Sequence, residues 1–218
     1  MTIELSRRAV AHLEAAALFA EKKYCVKSFL RGICIRTGND ASSVRIEATD
    51  AHALFTGKAP ASGVEGALVS PLVLNAKEVS AALKKLGREG LSLSWTDDAR
   101  FAQLSATGED STCFVEIIGR QFPDCDRVLR YTSPSEEEAA PVVPFNVEFF
   151  EKVVKATKIL RKDSQGRSRK KLVLMPERAG REACYAIDHD AVALVMCMRS
   201  GVGEYRYEDV RADLIGLY

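Results

Sequence analysis

The chain has almost no charge imbalance, no long apolar run and no paired-cysteine motif, and each absence removes a class of protein. Lys and Arg number 31 against 30 Asp and Glu, a formal net charge of +1. That balance excludes a generally basic coat for nucleic acid, so any polyanion contact has to come from local clustering. No stretch approaches the run of about 18 apolar residues that a membrane span needs, and the opening Met-Thr-Ile-Glu-Leu lacks a basic segment followed by an apolar one. These features predict a soluble, unexported, cytoplasmic protein with no membrane partner.

The six cysteines, Cys25, Cys34, Cys113, Cys125, Cys184 and Cys197, show no Cys-x-x-Cys spacing and mostly sit in apolar segments. Reduced cysteine there behaves as a small hydrophobe, which predicts a reducing compartment and no zinc site. A glycine-rich phosphate loop is missing, and no Ser/His/Asp or Cys/His constellation can be assembled. Asp188-His189-Asp190 could be read as a metal or acid–base group, but with no second ligand cluster it reads as a polar turn between strands. His12 lies among helical alanines. The expectation is a protein that is not an enzyme and carries no metal or cofactor.

What is present is enough apolar material for a core: 218 residues at 47% hydrophobic content allow one large domain or two small ones. Three stretches carry helical periodicity, each introduced by a short strand-like segment and followed by β-rich runs. The first helix is predicted over roughly 6–21, capped by Ser6 with Val10, Leu13 and Ala17 inward. Strands follow at Phe29–Arg36, Val44–Ala48 and Ala53–Lys58. In the second unit, strand Gly66–Leu74 leads to a helix capped by Asn75, buried through Val79, Ala82, Leu83 and Leu86 and ended by Gly87. Its strands are Leu91–Trp95, Ala99–Ala106 and Ser111–Ile118. The third runs from Val142–Phe145 through a helix capped by Asn146, with Phe150, Val153, Val154 and Thr157 on one side. Lys171–Met175, Ala183–Ile187 and Ala191–Met198 complete it.

The order strand, helix, strand, strand, strand is thus read three times, at starts roughly 70 residues apart, wider than a short solenoid repeat. Two units can close one domain, which leaves the third as a half. Tyr131–Pro141, with Pro134, Glu136–Glu138 and Pro141, reads as an exposed linker. The predicted organisation is an α+β protein with a full domain over 1–132, a linker over 133–141, a half-size domain over 142–200 and a tail over 201–218.

The segment Ala48-Thr49-Asp50-Ala51-His52-Ala53-Leu54 resembles the Ala-Thr-Asp-Gly-His-Arg-Leu signature of the bacterial sliding clamp, the β subunit of the replicative DNA polymerase. Further landmarks fall in the same order. Phe29-Leu30-Arg31-Gly32-Ile33 is similar to the strand after the first helix of the clamp's middle domain. Gln121-Phe122-Pro123-Asp124, with Arg127-Val128-Leu129, resembles the Arg-Phe-Pro-Asp segment ending that domain. Phe145-Asn146-Val147 and Val195-Met196-Cys197-Met198-Arg199 resemble the start and end of the second half of the clamp's last domain. The resemblance implies the DNA-clamp fold, cut down to the middle domain plus half of the last one. Ala51 replaces the family's glycine, Ala53 its arginine, and Cys197 the proline between two methionines.

In that family the cleft between the middle and last domains receives short linear peptides ending in Leu and Phe, through which polymerases and repair proteins dock. Carried over, the cleft walls here are Thr49, His52, Leu54, Pro123, Val128, Leu194 and Met196. An apolar groove with a flexible methionine suits an aliphatic and an aromatic anchor; the loss of arginine at Ala53 implies an altered peptide preference. Leu54, Val128 and Leu194 can equally be read as ordinary core residues.

Basic residues gather where a clamp faces duplex DNA. They are Lys155, Lys158, Arg161, Lys162, Arg167, Arg169, Lys170 and Lys171 in the third unit, Lys77, Lys84 and Arg88 on the second helix, and Lys22, Lys23, Lys27 and Arg31 around the first loop. Contacts of this kind hold phosphates without reading sequence; the same charges can also form a solvated face. The tail ends Asp213-Leu214-Ile215-Gly216-Leu217-Tyr218. Leu214, Ile215, Leu217 and Tyr218 resemble the apolar anchors of a clamp-binding peptide, without its leading glutamine.

The resemblance therefore implies a processivity factor for DNA replication or repair that contacts duplex DNA and recruits partners by their peptides. The alternative is an adaptor or decoy that kept the groove and lost the ring. A half-domain exposes strand edges and apolar surface, so a homo-oligomer is expected.

Overall fold

The computed structural model describes residues 1–23, 26–37, 42–63, 71–96, 98–108, 110–125, 147–163, 173–175, 182–188 and 190–196. The expected linker, the strand Val142–Phe145, the cap Asn146 and the tail lie outside these residues, as do the first residues of the expected strand Gly66–Leu74.

Strand β1 (Thr2–Ser6) alternates in the manner of a half-buried strand, with Ile3 and Leu5 inward. It runs straight into helix α1 (Arg7–Ala16), because Ser6 serves as the N-cap: its Oγ accepts from the Ala9 amide at 3.2 Å. Four alanines, with Val10, His12 and Leu13, give α1 little bulk, and the helix is buried on nearly every side. Small side chains let neighbours approach closely, so α1 packs between α2 (Ala76–Leu86) and α3 (Val147–Asp163) while also covering β3 (Ser43–Thr49) and β4 (Ala53–Ser62).

The predicted strand at Phe29–Arg36 is corrected at its start. Ser28–Arg31 forms a 3-10 turn, and β2 occupies Gly32–Thr37. The turn lets Phe29 and Leu30 swing to one side instead of alternating across the sheet. The chain continues through β5 (Leu72–Asn75), α2, β6 (Gly90–Ser94), β7 (Phe101–Ala106) and β8 (Thr112–Gly119). Asn75 Oδ1 accepts from the Lys77 amide at 3.1 Å, and Gly87 closes the helix at φ 83°, a left-handed conformation that glycine adopts without steric cost. Val79, Ala82, Leu83 and Leu86 are its buried face.

Helix α3 is followed by β9 (Val173–Met175), β10 (Glu182–Asp188) and β11 (Ala191–Met196). Its buried stripe is Val153, Ala156, Thr157 and Leu160, a spacing of i, i+3, i+4 and i+7. Phe150, expected on that face, is exposed, and Val154 is only half-buried. Phe149 joins the core in place of Phe150 because its ring finds a partner there, the His52 imidazole.

Among the described residues the strands join one 11-stranded sheet in the order β1-β6-β7-β8-β5-β2-β3-β4-β11-β10-β9, and β1 returns to pair with β4 as well. Strand β4 is the hinge of this topology. Its first half, Ala53–Gly57, pairs antiparallel with Val195–Ala191 of β11, and its end pairs with β1 through Leu5↔Ala61 and Glu4↔Ser62. The last strands therefore extend the sheet of the first. Gly57 marks a close approach of helix to sheet, since a Cβ there would lie 2.7 Å from His12 Nδ1. Phe19 and Phe55, with ring centroids 5.6 Å apart, fill the core beneath.

Candidate functional site

The turn between β3 and β4 is held by side-chain oxygens. Asp50 Oδ1 accepts from the amides of His52 at 2.9 Å and Ala53 at 2.8 Å, while Thr49 Oγ1 accepts from Ala51 N at 3.1 Å and donates to Ala53 O at 2.8 Å. This knot forces Ala51 to φ 75°, which a Cβ resists. Ala51→Gly is therefore expected to raise the unfolding free energy by about 0.5–1 kcal/mol, after allowing for the greater chain entropy of glycine. Urea titration of both proteins checks this; a lower midpoint for the variant would contradict it.

Strand pairing then assembles an apolar pocket. Across three adjacent strands, Thr49 lies opposite Leu54, and Leu54 lies opposite Leu194. With Cys125, Leu54 and Leu194 form a small buried cluster against which Phe122 packs. Above them opens a pocket of about 280 Å³, lined by Lys27, Phe29, Leu30, Thr49, Ala51, Ala53, Leu54, Pro123, Asp124, Cys125 and Leu194. The structure thus brings Thr49, Leu54, Pro123 and Leu194 together. His52 is not among the lining residues: its ring stacks on Phe149 at 5.5 Å and 17°. Met196 ends β11, two positions beyond Leu194, and Val128 lies outside the described residues. Phe29, Leu30 and Cys125 are lining residues that the sequence reading did not assign. The first two sit in a landmark read as a strand, where alternation would have pointed them apart.

Beneath the pocket is a buried ion cluster. The Glu47 side chain is 1% exposed, with Arg36 Nε 2.9 Å from Oε2 and Arg45 Nη2 2.8 Å from Oε1. Burial pushes the Cys34 thiol up to about 12, despite the neighbouring Arg36. Burial, reinforced by the negative charge of Glu47, also raises Cys125. Both thiols therefore act as apolar filling rather than as nucleophiles.

Two ionic contacts fasten α3 and the β10–β11 turn to this frame. Lys152 of α3 pairs with the second oxygen of Asp50, and its ammonium also lies 5.1 Å from the centre of the Phe149 ring. At the β10–β11 turn, Asp190 receives Arg8 Nε at 2.8 Å and Arg8 Nη2 at 2.5 Å, and His12 Nε2 lies 3.3 Å from its Oδ1. Burial alone would raise the Asp190 carboxyl, but the Arg8 fork and His12 outweigh it and hold the group well below the usual carboxylate range. Asp190 sits in the turn predicted there, and His189 lies outside the described residues. Among the described residues, no three His, Cys, Asp or Glu side chains gather as a metal site would require. No described helix is long and apolar enough to cross a membrane.

The basic residues fall on the helices and the first loop. Lys77 and Lys84 are exposed on α2, and Lys155, Lys158 and Lys162 on α3, so they flank the buried α1 from both sides. Lys155 pairs with Glu151 at 3.0 Å along its own helix. Arg88, beyond the end of α2, is ion-paired to Glu14 of α1. Lys22, Lys23 and Lys27 are exposed, Arg31 is half-buried, and Lys27 belongs to the pocket rim. Arg161 is placed in α3 by its backbone; Arg167, Arg169, Lys170, Lys171 and the tail residues Leu214, Ile215, Leu217 and Tyr218 lie outside the described residues.

No protein-family model matches the chain, and no curated protein matches its sequence. Solved structures do match its fold. The DNA polymerase III beta subunit from Thermotoga maritima superposes with a TM-score of 0.66 at 12% identity, over 94% of this chain and 66% of that one. The beta sliding clamp of Caulobacter crescentus gives 0.65 at 12% identity, over 94% and 66%. The sliding clamp of Bartonella birtlesii, bound to griselimycin, gives 0.64 at 16% identity, over 91% and 66%. The chain spans about two thirds of the length of each.

Proposed function

Because the chain has the sliding-clamp fold, we propose that it acts as a clamp-like accessory factor in DNA replication or repair, gripping duplex DNA without sequence preference and taking partner peptides in the pocket. The observation that carries this reading is the pairing of β4 with β11. It sets Leu54 against Leu194 and builds the apolar pocket at the junction of the early strands with the last ones. A mostly apolar pocket with a few polar groups in its lining, here Lys27, Thr49 and Asp124, suits a short peptide with one or two apolar anchors. The clamps of Bartonella birtlesii and Borrelia burgdorferi were solved with griselimycin and with a natural product, respectively.

The element order supports the three-unit organisation. Strand, helix and three strands occur twice in full, and α3 with β9–β11 follows the same order from the helix onward among the described residues. On this reading 1–132 is a full clamp-like domain and 142–200 a half, and self-association completes the assembly. The exposed lysines of α2 and α3 supply the duplex contacts, because charges on helices to either side of α1 can follow a phosphate backbone.

A fluorescein-labelled hexapeptide ending in Leu-Phe tests the pocket. Fluorescence anisotropy should give saturable binding, weakened at least tenfold by Leu54→Ala, which removes one wall of the pocket. A peptide that fails to bind the wild-type chain, or that binds both proteins alike, would contradict the assignment.

A further inference from the structure

We propose that Arg36 is a positioning residue for the pocket: it holds segment 122–125 in place as the pocket's outer wall without touching an occupant. The inference rests on the peptide reading above for its consequence, though not for its geometry. Strand β8 ends at Gly119, so the following segment has left the sheet before it reaches the pocket. Its placement then depends on side-chain contacts. Arg36 supplies two, donating through Nη2 to the carbonyl oxygens of Phe122 at 3.4 Å and Pro123 at 3.3 Å. Those two carbonyls belong to the stretch that turns Pro123 and Cys125 into the lining and packs Phe122 on Leu54 and Leu194.

The guanidinium can do this because its other edge is fixed. Nε donates to Glu47 at 2.9 Å, Glu47 is clamped from its far side by Arg45 at 2.8 Å, and Arg45 Nε donates to Thr56 Oγ1 at 3.1 Å. The network ties β2, β3 and β4 together under the pocket. A carboxylate buried this deeply is costly and gives little net stability against an apolar replacement. What it provides here is a rigid mount for a planar fork that serves a carboxylate on one edge and two carbonyls on another. A lysine ammonium, a point donor on a flexible stem, can keep the charge pair with Glu47 but cannot span both.

That difference separates a positioning role from a merely structural one. Arg36→Lys should leave the thermal midpoint close to wild type, whereas Arg36→Met should lower it by taking one of the two guanidinium partners from the buried Glu47. In both variants the wall should loosen and uncover Cys125, which is 4% exposed, while Cys34 in β2 stays covered. Alkylation by N-ethylmaleimide, followed residue by residue by mass mapping, should therefore speed up about tenfold at Cys125 and remain unchanged at Cys34. Affinity for the labelled Leu-Phe hexapeptide should fall by about the same factor in Arg36→Lys.

Cys125 labelling at the wild-type rate in both variants would overturn the inference. So would equal acceleration at Cys34, since that is general loosening. Faster labelling at Cys125 alone, in a chain whose wild type takes up no hexapeptide, would uphold the wall role of Arg36 and overturn the peptide reading instead.

Discussion

Asp190→Ala is expected to lower the unfolding free energy by about 3 kcal/mol, the cost of stranding buried charge when one partner of a buried pair is removed. Arg8 is 13% exposed, His12 is fully buried, and among the described residues His12 Nδ1 has no hydrogen-bond partner to compensate. Arg8 keeps its contact from Nη1 to the Leu160 carbonyl at 2.8 Å, so the loss is large but not total. Urea unfolding measures it directly; a loss below about 1 kcal/mol would mean that strand pairing alone holds the turn. The contribution also has a pH signature. The folded state holds the Asp190 carboxyl below its unfolded value, so the stabilisation is fully present above the ordinary carboxylate range near 4. It is lost as pH falls below that range toward the folded value. Wild-type stability should fall steeply in acid, and the alanine variant should show a shallower fall.

The largest functional effect is expected from reversing charge on the two helices that flank α1. Lys77→Glu, Lys158→Glu and Lys162→Glu together should weaken binding to a duplex by about a thousandfold at about 50 mM salt, and reduce the slope of log affinity against log salt by about three. All three side chains are exposed, so stability should be little changed. The loss should also be the same for unrelated duplex sequences, because phosphate contacts position a protein without reading bases. Duplex binding that survives the triple change, with an unaltered salt slope, would remove DNA from this face.

Local features were the most legible in the sequence. Ser6 and Asn75 cap helices with the side-chain oxygens their types predict, and Gly87 ends α2 in the left-handed conformation that favours glycine. Periodicity also located the buried face of α2. It misplaced the first turn of α3, where Phe149 and Phe150 are equally apolar, and only the location of His52, remote in sequence, decides which one turns inward. The pocket shows the same division. Thr49, Leu54, Pro123 and Leu194 were reached through a family resemblance, and the structure gathers them through the register of β3, β4 and β11. Register is a long-range property: Leu54 and Leu194 face one another across a strand pair that no local pattern specifies. The Arg36–Glu47–Arg45 network was invisible for a related reason. In sequence it is two Arg and a Glu spread over successive strands, a pattern typical of a solvated face, and it acquires meaning only once Glu47 is buried.

On the proposed function one chain links a duplex to a partner's peptide, and sedimentation velocity with a labelled 30-base-pair duplex and the labelled Leu-Phe hexapeptide tests that link directly. With the protein present, the peptide should sediment with the duplex, and the triple charge reversal should release the DNA while leaving the peptide on the protein. Peptide bound to protein that never sediments with DNA would contradict the account, and would point instead to an adaptor that holds peptides away from the duplex.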